Sequence, residues 1–197
     1  MKYFYEKKTA YPVSLIDMEI AHENVFNGEE ECVFITEHEG LYSAGKSSCP
    51  EDFLSKVSLP IYYPSRGGKV TVHSKGQLVV YPIINLRKRG MNVSEFVKII
   101  EDWMIEVLRE LNIKGYLSEK GVGIWANGAK IGFVGIGISK GVSTHGLCLN
   151  VSNDTSHFDK IIPCGLKDIK ITSIEQITGR KQNMKNIADL FISKTLL

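Results

Sequence analysis

Apolar residues along the chain follow two rhythms. Phe96, Ile99, Ile100, Trp103, Val107, Leu108 and Leu111 recur at helical intervals, which gathers them on one helix face. Asn92 and Glu95, just ahead of this run, form the pair expected of a capping box. Val13 to Phe26 carries a weaker helical pattern, and Met184 to Leu196 predicts a C-terminal helix. Between them lie short runs of β-branched and aromatic residues that predict strands: Cys32 to Ile35, Ile61 to Tyr63, Leu78 to Tyr81, Lys130 to Val134, and Leu147 to Val151. The spacing is uneven and lacks a βαβ rhythm. It predicts an α+β fold, with helices packed on a mixed β-sheet.

With 197 residues, 43% of them hydrophobic, the chain can bury a core and falls within the usual range for one domain, spanning 1–197. Charged residues make up 23%, but the net charge is only +2 and no long single-sign block occurs, so non-specific nucleic-acid binding is not suggested. Met1 to Lys8 lacks the apolar core of a signal peptide, and no apolar run reaches the roughly 18 residues of a membrane span. A soluble, cytoplasmic protein without membrane partners is expected. Cys32, Cys49, Cys148 and Cys164 show no C-x-x-C spacing, which favours reduced thiols in a domain this large.

Three segments carry candidate chemistry. Ser65 to Gln77 is polar and holds Gly67-Gly68, where a backbone can turn sharply or approach a ligand, next to Arg66, a forked donor for phosphate or carbonyl oxygen. A solvated hairpin turn reads equally well. In Asn127 to Gly137, four glycines interrupt a strand-like run, the mark of a close ligand or of a bulged hairpin; Lys130 within it is by default a surface lysine. In Ile161-Ile162-Pro163-Cys164-Gly165, proline fixes the approach and glycine removes crowding, so the turn either presents a thiol or simply buries one. A nucleophilic thiol needs a neighbour that stabilises the thiolate; His73, His145 and Lys130 are the candidates, while His22, His38 and His157 lie in featureless segments. Zinc at His145 and Cys148 is disfavoured, because residues three apart in a strand point to opposite faces and no second ligand pair is near.

Read in order from about Val33 to Arg180, the chain resembles the octanoyltransferase (lipoyl/octanoyl transferase B) family of lipoate synthesis. The resemblance rests on Glu37-His38, Tyr42-Ser43-Ala44-Gly45, Arg66-Gly67-Gly68 with Thr71, His73, Gly76 and Gln77, and Tyr81-Pro82. It continues through Gly123-Ile124-Trp125, Lys130-Ile131, Gly141 with His145-Gly146, Leu149-Asn150, Pro163-Cys164-Gly165 and Thr172-Ser173. Ser74-Lys75 stands where the family usually has Gly-Pro, and Gly137 where arginine is frequent.

The resemblance implies a catalytic domain of the biotin/lipoate protein ligase type, with Cys164 and Lys130 as a catalytic dyad. It implies a substrate site made of Arg66, Gly67, Gly68, Lys69, Val70, Thr71, Val72 and His73, with Phe133, Val134, Gly135, Gly146, Leu147 and Cys148. The implied reaction takes octanoyl from acyl carrier protein, through a Cys164 thioester, to a lysine of lipoyl domains of 2-oxoacid dehydrogenases or of the glycine cleavage H protein, with no metal or cofactor. The rival is an ATP-dependent lipoate or biotin ligase, which has no need of the Pro-Cys-Gly thiol. A different class of function, a non-enzymatic binding module, would use Arg87-Lys88-Arg89 to grip an acidic protein or nucleic acid; such a tripeptide is more often a solvated loop, though the acidic carrier protein is a sensible partner for it.

Overall fold

The computed structural model describes all residues, 1–197. The first half contains β1 (Lys2–Tyr5), α1 (Tyr11–Phe26), β2 (Cys32–Thr36), β3 (Leu41–Ala44), β4 (Ile61–Tyr62), β5 (Val70–His73) and β6 (Gln77–Ile83). The second contains α2 (Val93–Glu110), β7 (Tyr116–Ser118), β8 (Gly121–Ala126), β9 (Ala129–Ser139), β10 (Val142–Asn150), α3 (Ile174–Thr178) and α4 (Met184–Ser193). Seven strands form the main sheet in the order β1-β2-β6-β10-β9-β8-β7, and a smaller sheet runs β4-β3-β5. In the main sheet only β1 and β2 are parallel, so it is mixed, as the sequence predicts.

The sheet is covered on both faces, and β6 shows how. Leu78 and Val80 face one core cluster while Val79 and Tyr81 face the other, as the two-residue strand period requires. The first cluster lies under α2 and α4, where Phe96, Ile100, Trp103, Met104, Val107 and Leu108 are buried. The Trp103 Nε1–H donates to the Phe191 carbonyl at 2.9 Å and the two rings meet edge to face at 5.2 Å, joining the helices. The second cluster lies under α1 and the small sheet, with Met18, Val25, Tyr42, Val70 and Val72 packed over Val79, Tyr81, Phe133 and Cys148.

The capping box of α2 is formed: Asn92 Oδ1 accepts the Glu95 N–H at 3.0 Å, and Glu95 Oε2 accepts the Asn92 N–H at 2.8 Å. Helix α1 starts at Tyr11, two residues ahead of the sequence expectation, with Pro12 in a first turn that has no use for its N–H. Its pattern is weak because Val13, Ile16 and Ile20 are exposed opposite the buried Met18 and Val25. Helix α4 stops at Ser193, short of Leu196. The run expected over Lys130 to Val134 is the start of an eleven-residue strand, and Leu147 to Val151 is the end of β10. Apolar patterning does not predict β1, β3, β5, β7 or β8; all but β8 are three or four residues long, and β8 contains Gly121 and Gly123.

Candidate functional site

A cavity of about 290 Å³ opens between the main sheet and the small sheet. Gly135 on β9 and Gly146 on β10 are direct cross-strand partners on its floor. A Cβ on Gly135 would stand 3.2 Å from Arg66 Cδ, and one on Gly146 would stand 2.2 Å from the Val80 carbonyl oxygen. Gly146 cannot carry a side chain without moving the β6 backbone, and a side chain on Gly135 would have to displace Arg66. The deep end is walled by Tyr11, His73, Val79, Tyr81 and His145, all buried; Cys148 and Phe133 continue the floor, and Gly68, Lys69, Val122, Cys164 and Leu166 surround the mouth.

Cys164 sits in a one-turn loop with φ 57° and ψ 17°, followed by Gly165 at φ 74°. A left-handed conformation costs a non-glycine residue on the order of 1 kcal/mol, so surrounding bonds must impose it. The Ile162 N–H donates to the Asp52 carbonyl at 2.7 Å, the Gly165 N–H to the Ile162 carbonyl at 3.1 Å and the Leu166 N–H to the Pro163 carbonyl at 3.0 Å. The buried Asp52 carboxylate in turn accepts from Lys69 Nζ at 2.7 Å and the Cys49 N–H at 2.9 Å. Lys69 lies so close that a Cβ on Gly165 would meet its Cδ at 2.7 Å. The left-handed φ is what requires glycine behind the thiol, and a larger residue there would also displace the Lys69 side chain from its place.

Lys130, at the start of β9, is fully buried. Its backbone N–H donates to the Lys170 carbonyl at 2.8 Å and its carbonyl accepts the Thr172 N–H at 3.0 Å, which ties the segment following Cys164 to this strand. Its Nζ donates to the Val122 carbonyl at 2.7 Å and lies 5.3 Å from the Phe133 ring centre and 5.9 Å from that of Trp125. Lys130 and Cys164 line the same cavity.

The other candidates for a thiolate partner have different chemistry. Burial, and after it the nearby His38, pushes His73 down to about 3; burial, then Arg66, pushes His145 down to about 4. Both rings are therefore neutral at neutral pH and supply no cation. Gln77 Nε2 donates to the Val72 carbonyl and to Asn150 Oδ1, so its Oε1 is the acceptor for His73 Nδ1–H at 2.7 Å, and Nε2 is left as the acceptor of that ring. Arg66 is buried without a carboxylate: it donates through Nε to Ser43 Oγ and through its terminal nitrogens to the Ser43, Gly67 and Lys69 carbonyls. These bonds shape the loop around the cavity mouth. Among the thiols, burial pushes Cys148 up to about 12 and Cys32 up to about 11, and a hydrogen bond with Glu51 raises Cys49. Thr71 Oγ1 is buried, lines the cavity and has no hydrogen-bond partner.

Arg66, Gly68, Lys69, Thr71 and His73 line the cavity with Cys164 and Lys130, as do Phe133, Val134, Gly135, Gly146, Leu147 and Cys148. Gly67, Val70 and Val72 do not. β5 alternates, so Thr71 and His73 face the cavity while Val70 and Val72 pack into the second core cluster; Gly67 is held in the loop by its N–H to the Ile136 carbonyl at 2.8 Å. The segment Ser65 to Gln77 is no simple hairpin either, because β5 and β6 belong to different sheets. The geometric objection to His145 and Cys148 also fails: His145 has φ 57°, which breaks the alternation and brings both to the cavity. No group of three or more metal-ligating side chains is present. Sequence reasoning missed Tyr11, Val79, Tyr81, Gly121, Val122 and Leu166 in the lining. His38 proves far from featureless: buried, it donates from Nδ1 to the Thr9 carbonyl and accepts at Nε2 from the Tyr81 hydroxyl, each at 2.8 Å.

The sequence matches the lipoyl protein ligase A/B catalytic domain family over residues 11–195. It is 39% identical to an octanoyltransferase of Persephonella marina, over 85% of this chain and 83% of that one. It is 41% identical to an octanoyltransferase of Rhodospirillum rubrum, over 87% and 82% respectively. Among solved structures, lipoate-protein ligase A bound with ATP superposes with a TM-score of 0.74 at 14% identity, covering 98% of this chain and 84% of that chain. The bipartite lipoate protein ligase of Thermoplasma acidophilum superposes with a TM-score of 0.73 at 13% identity, covering 98% and 81%. The fold is thus the ligase-like α+β architecture, and the chain belongs to the octanoyltransferases of the lipoyl protein ligase A/B catalytic domain family.

Proposed function

We propose that this acyltransferase of lipoate biosynthesis works by two thioester-based steps at Cys164, with Lys130 as its proton-transfer partner. The observation that supports the proposal is that a loop-held thiol and a fully buried lysine both line one largely apolar cavity. In the first step the Cys164 thiolate attacks the thioester carbonyl of octanoyl-acyl carrier protein. The carbon–sulfur bond to the carrier breaks, and its pantetheine sulfur leaves as a thiol with a proton from Lys130. In the second, a lysine amine of a lipoyl domain attacks the Cys164 thioester; the amide forms, Lys130 takes the amine proton, and the thiolate leaves. Exchange of one thioester for another is nearly free of cost and amide formation runs downhill, so ATP is not required.

The octanoyl chain occupies the cavity beyond Gly135 and Gly146, and the free Thr71 hydroxyl is a donor for the acyl group. Residues 1–197 act as one catalytic domain, in the cytoplasm, without metal or cofactor. The acceptors are lipoyl domains of 2-oxoacid dehydrogenases and of the glycine cleavage H protein. Arg87 and Lys88, both exposed, serve as a dock for the acidic carrier, whereas Arg89 is already paired with Glu31. No helix is long and apolar enough to cross a membrane.

Steady-state kinetics with both protein substrates tests the scheme. Parallel double-reciprocal lines, with turnover abolished in Cys164→Ser, are expected; intersecting lines that require ATP and free octanoate would instead identify an adenylating ligase.

A further inference from the structure

A carboxylate interrupts the apolar face of α2. Glu101 is only 8% exposed, although it lies on the helix that buries Phe96, Ile100, Trp103 and Met104. A buried carboxylate is costly unless its oxygens are hydrogen-bonded. Here Oε1 accepts the Gly123 N–H at 2.7 Å. That N–H belongs to the peptide group joining Val122 to Gly123, and the carbonyl of the same group accepts Lys130 Nζ at 2.7 Å. One planar amide is thus gripped at both ends, by an acid from α2 and by the lysine of the cavity. A hydrogen bond at the N–H end polarises the carbonyl end, so the two contacts strengthen each other.

The surrounding backbone needs the grip. Gly121 and Gly123 flank Val122 with φ 141° and 116°, and two glycines leave the peptide plane free to rotate unless something fixes it. Gly123 cannot be replaced cheaply: a Cβ there would stand 2.5 Å from the Gly132 carbonyl oxygen and 2.8 Å from Lys130 Cε. We propose that Glu101 is a positioning residue for Lys130, holding the Val122–Gly123 peptide so that its carbonyl fixes the lysine ammonium beside Cys164. The proposal rests on the Cys164–Lys130 reading above.

The test is the pH dependence of Cys164 alkylation by iodoacetamide, followed at that cysteine by peptide mass, in wild type, Lys130→Met, Glu101→Gln and Glu101→Met. The thiolate is the reacting species, so the profile reports how well Lys130 stabilises it. Glutamine keeps an acceptor oxygen and is expected to leave the profile and kcat/KM within twofold of wild type. Methionine has similar length, suits an apolar face and accepts no N–H; it is expected to raise the midpoint of the profile and lower kcat/KM about tenfold with the melting temperature maintained. A wild-type profile in Glu101→Met, or the same rise in Glu101→Gln as in Glu101→Met, overturns the positioning role. An unchanged profile in Lys130→Met overturns the Cys164–Lys130 reading itself, and the role of Glu101 with it.

Discussion

If the acyl chain fills the cavity over Gly135 and Gly146, its length preference is set by the floor. Cys148 is 3% exposed there, flanked by Val79 on β6 and Phe133 on β9. Phe133 is itself stacked on Phe158 at 5.0 Å, so a larger residue at 148 must grow into the cavity. Cys148→Leu adds two carbon-sized groups and displaces about two methylenes of the acyl chain. At about 0.8 kcal/mol per buried methylene, the octanoyl substrate loses roughly 1.6 kcal/mol, about fifteenfold in kcat/KM, while hexanoyl is unaffected. Cys148→Ala has the opposite sense and favours decanoyl over octanoyl by about fourfold relative to wild type. The assay is kcat/KM for hexanoyl-, octanoyl- and decanoyl-carrier protein at one lipoyl-domain concentration, with melting temperatures to exclude core strain. Unchanged selectivity in Cys148→Leu, or an equal fall for all three chain lengths, would refute an acyl tail on this floor.

Arg66→Lys loses the planar fork that serves four acceptors around the mouth. At least one buried carbonyl is orphaned, so urea denaturation should show a loss of about 1–3 kcal/mol, and kcat/KM should fall at least tenfold. Stability should also fall with acidity. The unfolded chain protonates His73 and His145 near their ordinary range, whereas the folded rings accept protons only near 3 and 4, so the unfolded state binds more protons below about pH 6.5. Each ring then contributes a slope of up to about 1.4 kcal/mol per pH unit as pH falls from that point toward its folded value; His145→Gln should flatten a plot of urea midpoint against pH. Charge reversal at Arg87 and Lys88 should raise KM for the carrier without changing KM for the lipoyl domain, most strongly at low salt, and an unchanged carrier KM removes that surface from docking.

Local signals in the sequence are legible where one face alone decides the pattern. Helix α2 has a single apolar face and a complete capping box, and its position agrees with expectation. Helix α1 has apolar residues on both faces, which blurs its period and hides its first turn. The thiol, the lysine and most of the cavity lining lie in segments visible as motifs, but of the contiguous stretch 66–73 only part lines the cavity, because a strand turns every second residue away: Val70 and Val72 go to the core. Tyr11 and Tyr81 reach the cavity from elements far apart in sequence, and the cross-strand register of Gly135 with Gly146 exists only once β9 and β10 pair. His145 misled the strand alternation because its backbone is left-handed, a feature that its residue type does not announce. Glu101 looks like one more charged helix residue until the peptide it grips is in view.

Acyl transfer through Cys164 can be read from the intact mass of the protein after mixing with octanoyl-acyl carrier protein in the absence of ATP. Wild type is expected to carry a hydroxylamine-sensitive octanoyl adduct that is absent from Cys164→Ser and slowed in Lys130→Ala. No adduct on wild type, together with a bound acyl-adenylate when ATP and free octanoate are supplied, would contradict that transfer and return Cys164 to a structural role.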